Sequence, residues 1–274
     1  MTIARAATLE GIGLHLGHRC RLTFLPAAEG EGVAFRRADL PGAPRMQADA
    51  TVAVLTERRT QLGSGEAAVH TVEHVLAAVA ALGIDDITIE MDAPEPPILE
   101  GSAYPFFQAL ADAGLVEQGG VVHYLEVDAP VVVEDGESRY EAHPARGFEL
   151  DVTIDFPHPL IGHQRGRYVV TRDSFASELA RARTFGFLRE VEMLRAKGLI
   201  QGASTENAVV LDDRGVVDTE LRWPDEFVRH KAMDCVGDLA LAGCRIRARI
   251  VADRPSHRGT VMLVRELMGM PSRR

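Results

Sequence analysis

His230 and Asp234 stand four residues apart in FVRHKAMDCVGD, residues 227–238. On a helix that spacing sets the two side chains about 40° apart around the axis, one turn from each other on one face. An imidazole and a carboxylate so placed can grip one metal ion. A second imidazole, His74, stands far away in TVEH (71–74), with Glu73 directly beside it. Two histidines, a carboxylate and an additional glutamate are the parts of a catalytic metal hydrolase. Each part also has a bland reading. An i, i+4 acid–base pair is common on solvated helix faces, and a glutamate at a helix start is favoured by the dipole. Against a solvated face stand Phe227, Val228, Val236 and Leu239 around the same segment, with Asp238 continuing the polar stripe. A stripe of His, Asp and Asp inside an apolar helix needs partners, because buried unpaired charge is costly.

Neighbouring residues on a helix point about 100° apart. Glu73 and His74 therefore cannot share one coordination position, but the carboxylate can lie beside the metal as a general base. Cys235, five residues past His230, faces elsewhere and reads as core packing. His257, in ADRPSHRG between a strand and a helix, reads on its own as a surface loop histidine. The other histidines (His15, His18, His70, His123, His143, His158, His163) lack metal spacing and read as surface or structural. ARTFGFL (182–188) reads as a tight loop between two helices; Thr184 can donate a hydrogen bond there, and Phe185 and Phe187 read as packing.

These residues must be positioned by a mixed set of elements. Alternation of apolar and polar residues predicts strands at 20–27, 32–37, 86–92, within 121–156, and at 244–252. Helices are predicted over 70–82 with Gly83 as its stop, 104–114, 173–183, 189–198, the stretch DEFVRHKAMDCVGDLALAG ending at Gly243, and 259–269. Gln118-Gly119-Gly120 is the best linker, and the pattern starts over after it, with no residue-level repeat. The expected fold is α+β in two similar domains, 1–118 and 119–274, each a sheet with two main helices covering one face.

The chain has 274 residues, long for one domain and comfortable for two. A formal net charge of −10 argues against a general nucleic-acid grip. Three widely spaced cysteines form no disulfide framework, so a reducing cytoplasm fits best. No apolar run approaches the length of a membrane span and MTIARAATLEGIG lacks a signal-peptide core, so neither membrane insertion nor export is expected.

Taken in order, GIGLHLG (11–17), TVEHVLAAVAALGIDD (71–86), IEMDAPEPPILEGSAYPF (89–106), TIDFPHPLI (153–161), RARTFGFLREVEMLRAKGL (181–199) and DEFVRHKAMDCVGD (225–238) resemble the zinc-dependent UDP-3-O-acyl-N-acetylglucosamine deacetylases of lipid A biosynthesis. The resemblance spans nearly the whole chain. It implies a β-α-α-β sandwich with the active site between the domains, and a small insert in each domain that helps form the pocket or an acyl passage. It implies metal ligation by His74, His230 and Asp234 with water in the fourth position, and Glu73 as general base. His257 would protonate the leaving amine or stabilise charge, Asp238 would orient that histidine, and Thr184 would help hold the oxyanion. Lys231 would bind the sugar, Phe156 would stack on the nucleotide, and Arg254 would stand where the family has a lysine or arginine; Phe185 joins this substrate-binding set. RPSHRGT departs from the family at His257, whose glycine neighbour is displaced.

The implied cofactor is zinc, with ferrous iron the alternative in the cell. The implied partner is a UDP-linked acylated glucosamine, reached by a cytoplasmic protein in transient contact with the inner membrane surface, with a monomer favoured. Two His plus one carboxylate also describes non-haem iron oxygenases, but nothing suggests a site for their organic co-substrate. HExxH is absent, which disfavours a metallopeptidase. A non-catalytic binding protein with a structural metal would need a fourth protein ligand, and only three can be named.

Overall fold

The computed structural model describes residues 1–56 and 58–270. Its two large sheets share one wiring. In the first, Ala7–Ile12, Arg19–Pro26, Ile87–Met91, Val33–Arg37 and Arg45–Gln47 lie side by side in that spatial order. In the second the order is Val131–Asp135, Ser138–Pro144, Arg245–Asp253, Glu149–Phe156 and Gly162–Val169. In both, the last strand in the sequence sits in the middle, antiparallel to the second and parallel to the third. The same topology thus recurs without a residue-level repeat, because side chains need only keep the alternation that buries one face. Cys20, Leu22 and Phe24 point inward on one sheet, and Leu150, Val152 and Ile154 on the other. A short strand, Tyr124–Glu126, extends the second sheet in parallel with Arg245–Asp253. Leu115–Val116 returns to pair with Thr2–Ile3.

Helices fill the space between the sheets. Tyr104–Asp112 packs on the first sheet and on Glu73–Ala81; His257–Leu267 packs on the second sheet and on Glu226–Leu239. Glu73–Ala81 and Glu226–Leu239 then pack on each other. Both are buried on nearly every side, as helices at the centre of an α+β sandwich must be. Their contact is very close. A Cβ placed on Gly237 would lie 1.9 Å from the carbonyl oxygen of Glu73. Gly83 and Gly243, at φ 64° and 67°, close the two helical segments in the left-handed conformation.

Two small three-stranded sheets flank this frame. One joins Ala53–Val54, Gln61–Leu62 and Val69–His70; the other joins Phe185–Phe187, Val209–Asp212 and Gly215–Val217. The segment read as a loop around Phe185 is therefore a strand, paired in parallel with Val209–Asp212. The pattern was too short to show alternation, and its partner lies more than twenty residues on. The helix expected over 173–183 is also shorter. A capped turn, Arg172–Ser174, widens into a π-helical turn, Phe175–Leu179. The chain leaves the helix because the backbone N–H and guanidinium of Arg183 are both taken by Glu226. Gly162–Val169 forms an edge strand that the sequence reading passed over, since its arginine-rich alternation buries only Tyr168 fully. The first long helix begins at Glu73 and not at residue 70, because His70 belongs to a strand and Thr71 has φ 54°. Among the described residues no helix is long and apolar enough to cross a membrane.

Candidate metal centre and active site

The two central helices meet with His74 on one and His230 and Asp234 on the other, all three buried. His74 Nε2 lies 3.5 Å from Asp234 Oδ1, and His230 Nε2 lies 3.3 Å from Asp234 Oδ2. The imidazole rings are 5.3 Å apart and nearly perpendicular. One donor atom from each of the three residues fits within a 4.8 Å cluster. Tetrahedral coordination at about 2.0–2.1 Å would separate donors by about 3.4 Å, close to the distance of each imidazole nitrogen from its nearer Asp234 oxygen. Asp234 Oδ1 is buried with no hydrogen-bond partner among the described residues. Lys231 Nζ donates to the other oxygen at 2.9 Å, leaving Oδ1 for a ligand bond. His230 Nδ1 lies 3.3 Å from the carbonyl of Ala182, the contact that fixes a ligating histidine's tautomer. Two imidazoles and a carboxylate suit zinc or ferrous iron. The residues fit a divalent metal.

A second buried cluster, Glu73, Asp238 and His257, adjoins the first. His257 Nδ1 is 2.8 Å from Asp238 Oδ2, and its Nε2 is 3.8 Å from Glu73 Oε1 and 3.9 Å from Asp234 Oδ2. Thr60 ties the cluster together: its N–H donates to Glu73 Oε2 at 3.0 Å and its hydroxyl donates to Asp238 Oδ1. With three of its four carboxylate oxygens hydrogen-bonded, this cluster has less free capacity for a metal than the first.

The electrostatics follow from burial. Burial lowers His230 to about 3, so it is neutral at ordinary pH, the form that can ligate a metal. Burial also opposes ionisation of Asp234, but His230 and Lys231 outweigh it and hold that carboxyl well below the usual range. Burial raises Glu73, only partly countered by His257. For His257 burial works downward, yet the carboxylates of Asp238 and Glu73 lift it to about 9. An imidazolium held by Asp238 through Nδ1 directs Nε2 toward Glu73, so this pair can take up and give back a proton.

The other expected residues surround the cluster to different degrees. Phe185 packs edge-on to His230 at 5.9 Å and to Phe156 at 5.4 Å, so Phe185 reaches the site wall and Phe156 packs behind it. Thr184, half-buried, is fixed through its backbone: its N–H donates to Gly101 O, and its carbonyl accepts from Val209. Arg254 is farther out and 42% exposed, bonded to Asp155 at 3.2 Å. His257 is not on a surface loop, as the sequence alone suggested. It is buried and opens the helix His257–Leu267, whose cap is Ser256. Only the tertiary fold supplies the Asp238 partner that makes that burial tolerable.

Sequence reasoning missed three supports. Thr60 carries no local signal in TERRT. Glu95, completely buried, accepts from His15 N, Leu16 N and Thr71 Oγ1, pinning the GIGLHLG turn and the entry to the Glu73 helix. A lone acid among prolines and apolar residues was the available clue. Glu226, also fully buried, grips Arg183 and so holds the Ala182 carbonyl against His230, one turn along the same helix.

The family model described as "LpxC: UDP-3-O-acyl N-acetylglycosamine deacetylase" matches residues 1–269. Curated relatives named UDP-3-O-acyl-N-acetylglucosamine deacetylase include one from Geobacter sp. (strain M21), 44% identical over 271 residues, which cover 98% of this chain and 89% of the relative. That of Myxococcus xanthus (strain DK1622) is 43% identical over 272 residues, 99% of this chain and 87% of the relative. That of Bdellovibrio bacteriovorus is 41% identical over 272 residues, 99% and 90%. With the match running through both large sheets and the three helices that bear the clustered residues, the chain belongs to the LpxC family of UDP-3-O-acyl N-acetylglycosamine deacetylases.

Proposed function

We propose that this chain is a cytoplasmic metal-dependent amide hydrolase that removes the N-acetyl group from UDP-3-O-acyl-N-acetylglucosamine, as a step of lipid A biosynthesis. The observation that carries the reading is the adjacency of the two buried clusters, one suited to a divalent ion and one to proton transfer, 3.9 Å apart between His257 Nε2 and Asp234 Oδ2. Family membership supplies the substrate class. The ion is zinc, with ferrous iron the alternative in the cell, held by His74, His230 and Asp234. Residues 1–118 contribute Glu73 and His74, and residues 119–274 contribute Thr184, His230, Asp234 and His257.

A bound divalent ion polarises the amide carbonyl and lowers the pKa of water toward about 7. Glu73 takes a proton from the attacking water. Thr184 donates a hydrogen bond to the oxyanion that forms as water adds to the carbonyl carbon. The C–N bond then breaks, and the amine nitrogen receives a proton from His257 Nε2 or from Glu73. Asp238 positions His257 throughout. Lys231 holds the sugar, Phe156 and Phe185 pack against the nucleotide-sugar, and Arg254 meets it at the rim. One water is consumed, and acetate and a free amine leave.

Two variants separate these roles. Glu73→Ala should keep its metal and lose about 10²–10⁴-fold in turnover, read as acetate released from the acylated UDP-sugar; a near-normal rate rejects the base. His74→Ala should lose metal by elemental analysis, and full occupancy would remove it from the ligand set. Reconstitution with zinc or ferrous iron, followed by the same assay, identifies the ion.

A further inference from the structure

The strap that carries Thr60 also carries an unusual cation. Nε and Nη1 of Arg59 are shielded from solvent and have no hydrogen-bond partner among the described residues. A guanidinium desolvated without an acceptor is costly, and such groups persist where an incoming ligand completes them. The strap is fixed on both sides of it. Arg58 pairs with Glu190 at 3.0 Å, Thr56 Oγ1 donates to the Arg59 carbonyl at 2.7 Å, and Thr60 holds Glu73 and Asp238. Arg59 is thus one residue from the proton-transfer cluster on a segment with little freedom to turn away.

Among the described residues its surroundings offer no free counter-charge. His15 and His70, both within its electrostatic reach, are pushed down to about 3 and about 4 by burial and then by Arg59 itself, so both are neutral. The neighbouring carboxylates are taken: Glu95 by His15 N, Leu16 N and Thr71, and Asp238 by Thr60 and His257. Thr60, the next residue, bonds Glu73 and Asp238, which places this basic corner against the reaction site.

We infer that Arg59 is a ligand-contacting residue whose unpartnered Nε–H and Nη1–H groups receive an oxyanion of the reaction partners. The reaction proposed above, on which this rests, presents two oxyanions, the diphosphate of the nucleotide and the carboxylate of released acetate. Charge-assisted N–H donors suit either.

The test compares wild type, Arg59→Gln and Arg59→Lys as metal-loaded full chains. UDP affinity is measured by calorimetry, acetate affinity by ligand-observed NMR, and stability by the ligand-free melting temperature. Arg59→Gln should weaken one oxyanion by about 10-fold or more, with part of the loss recovered by lysine. It should melt no lower than wild type, since two shielded N–H groups without acceptors have been removed. Loss for UDP alone assigns the diphosphate, and loss for acetate alone assigns the carboxylate. Affinities for both within about twofold of wild type overturn the inference. So does an affinity loss that comes with a lowered melting temperature and no rescue by lysine, because Arg59 would then serve the fold. These are binding measurements, so they stand whether or not wild type releases acetate from the acylated UDP-sugar, the separate test of the reaction itself.

Discussion

Gly237→Ala should disable the metal centre from a position that binds nothing. Inside a helix, alanine is intrinsically better than glycine by about 1 kcal/mol. Here the new Cβ would sit 1.9 Å from Glu73 O, 2.7 Å from Glu73 C and 3.0 Å from Glu73 Cα. Non-bonded carbon contacts settle at about 3.5–4.0 Å, so the helices must part by more than about 1 Å. All three nearest atoms are backbone, and no flexible side chain can yield. Overpacking of that kind costs about 3 kcal/mol, the upper end of its usual range. The net loss is about 2 kcal/mol, or about 4–8 °C in melting temperature at this size. Gly237 is three residues past Asp234, and Glu73 adjoins His74. A shift of about 1 Å far exceeds the tolerance of about 0.2 Å on metal–ligand distances. The variant should therefore bind metal weakly, and reloading should leave a rate deficit of about 100-fold. Calorimetric melting with and without chelator, metal content and acetate release read these effects. Gly147→Ala, where an added Cβ meets nothing within 4 Å, is the control. A Gly237→Ala protein that melts at or above wild type and keeps its metal would refute the argument that this contact sets the site.

Two further predictions concern the supports. Asp151 accepts from Arg165 at 2.7 and 2.8 Å, from Arg167 at 3.0 Å and from Arg249 at 3.2 Å, and Arg165 first among them holds its carboxyl below the usual range against the opposing effect of burial. A carboxyl lowered in the folded state contributes stability above its unfolded pKa of about 3.9 and loses it as pH falls through the folded value. Asp151→Asn should therefore cost about 1 kcal/mol at pH 7, small because the arginines are half-exposed, and the gap to wild type should close below about pH 4 in urea melts; a gap that widens in acid would contradict it. Glu226→Ala leaves Arg183 buried and unpaired and should cost about 3–5 kcal/mol in denaturant unfolding, much of it recovered when Arg183→Met is added. A single-variant loss under about 1 kcal/mol would show that the pair does not anchor the Ala182–Thr184 segment.

Much of the frame was legible in the residues. Alternation marked the strands Arg19–Pro26, Ile87–Met91 and Arg245–Asp253, and glycine stops marked the ends at Gly83 and Gly243. Those signals are local, carried by side-chain period and by the backbone freedom of one residue. The i, i+4 spacing of His230 and Asp234 was equally local, since a helix fixes it whatever surrounds it. Phe185 was misread because three residues reveal no period, and its strand exists only by virtue of Val209–Asp212.

The convergence itself belonged to the tertiary structure. Sequence alone determined that this chain owns an imidazole–carboxylate pair on one helix, a glutamate–histidine pair at the head of another, and two sets of strands to carry them. Only packing decided that His74 comes within 3.5 Å of Asp234, that His257 is buried on Asp238, and that Thr60, from an unremarkable stretch, bridges Glu73 and Asp238. Such contacts join residues up to 178 positions apart. No periodicity encodes them, because they arise from how two sheets and the glycine contact between their helices settle in space.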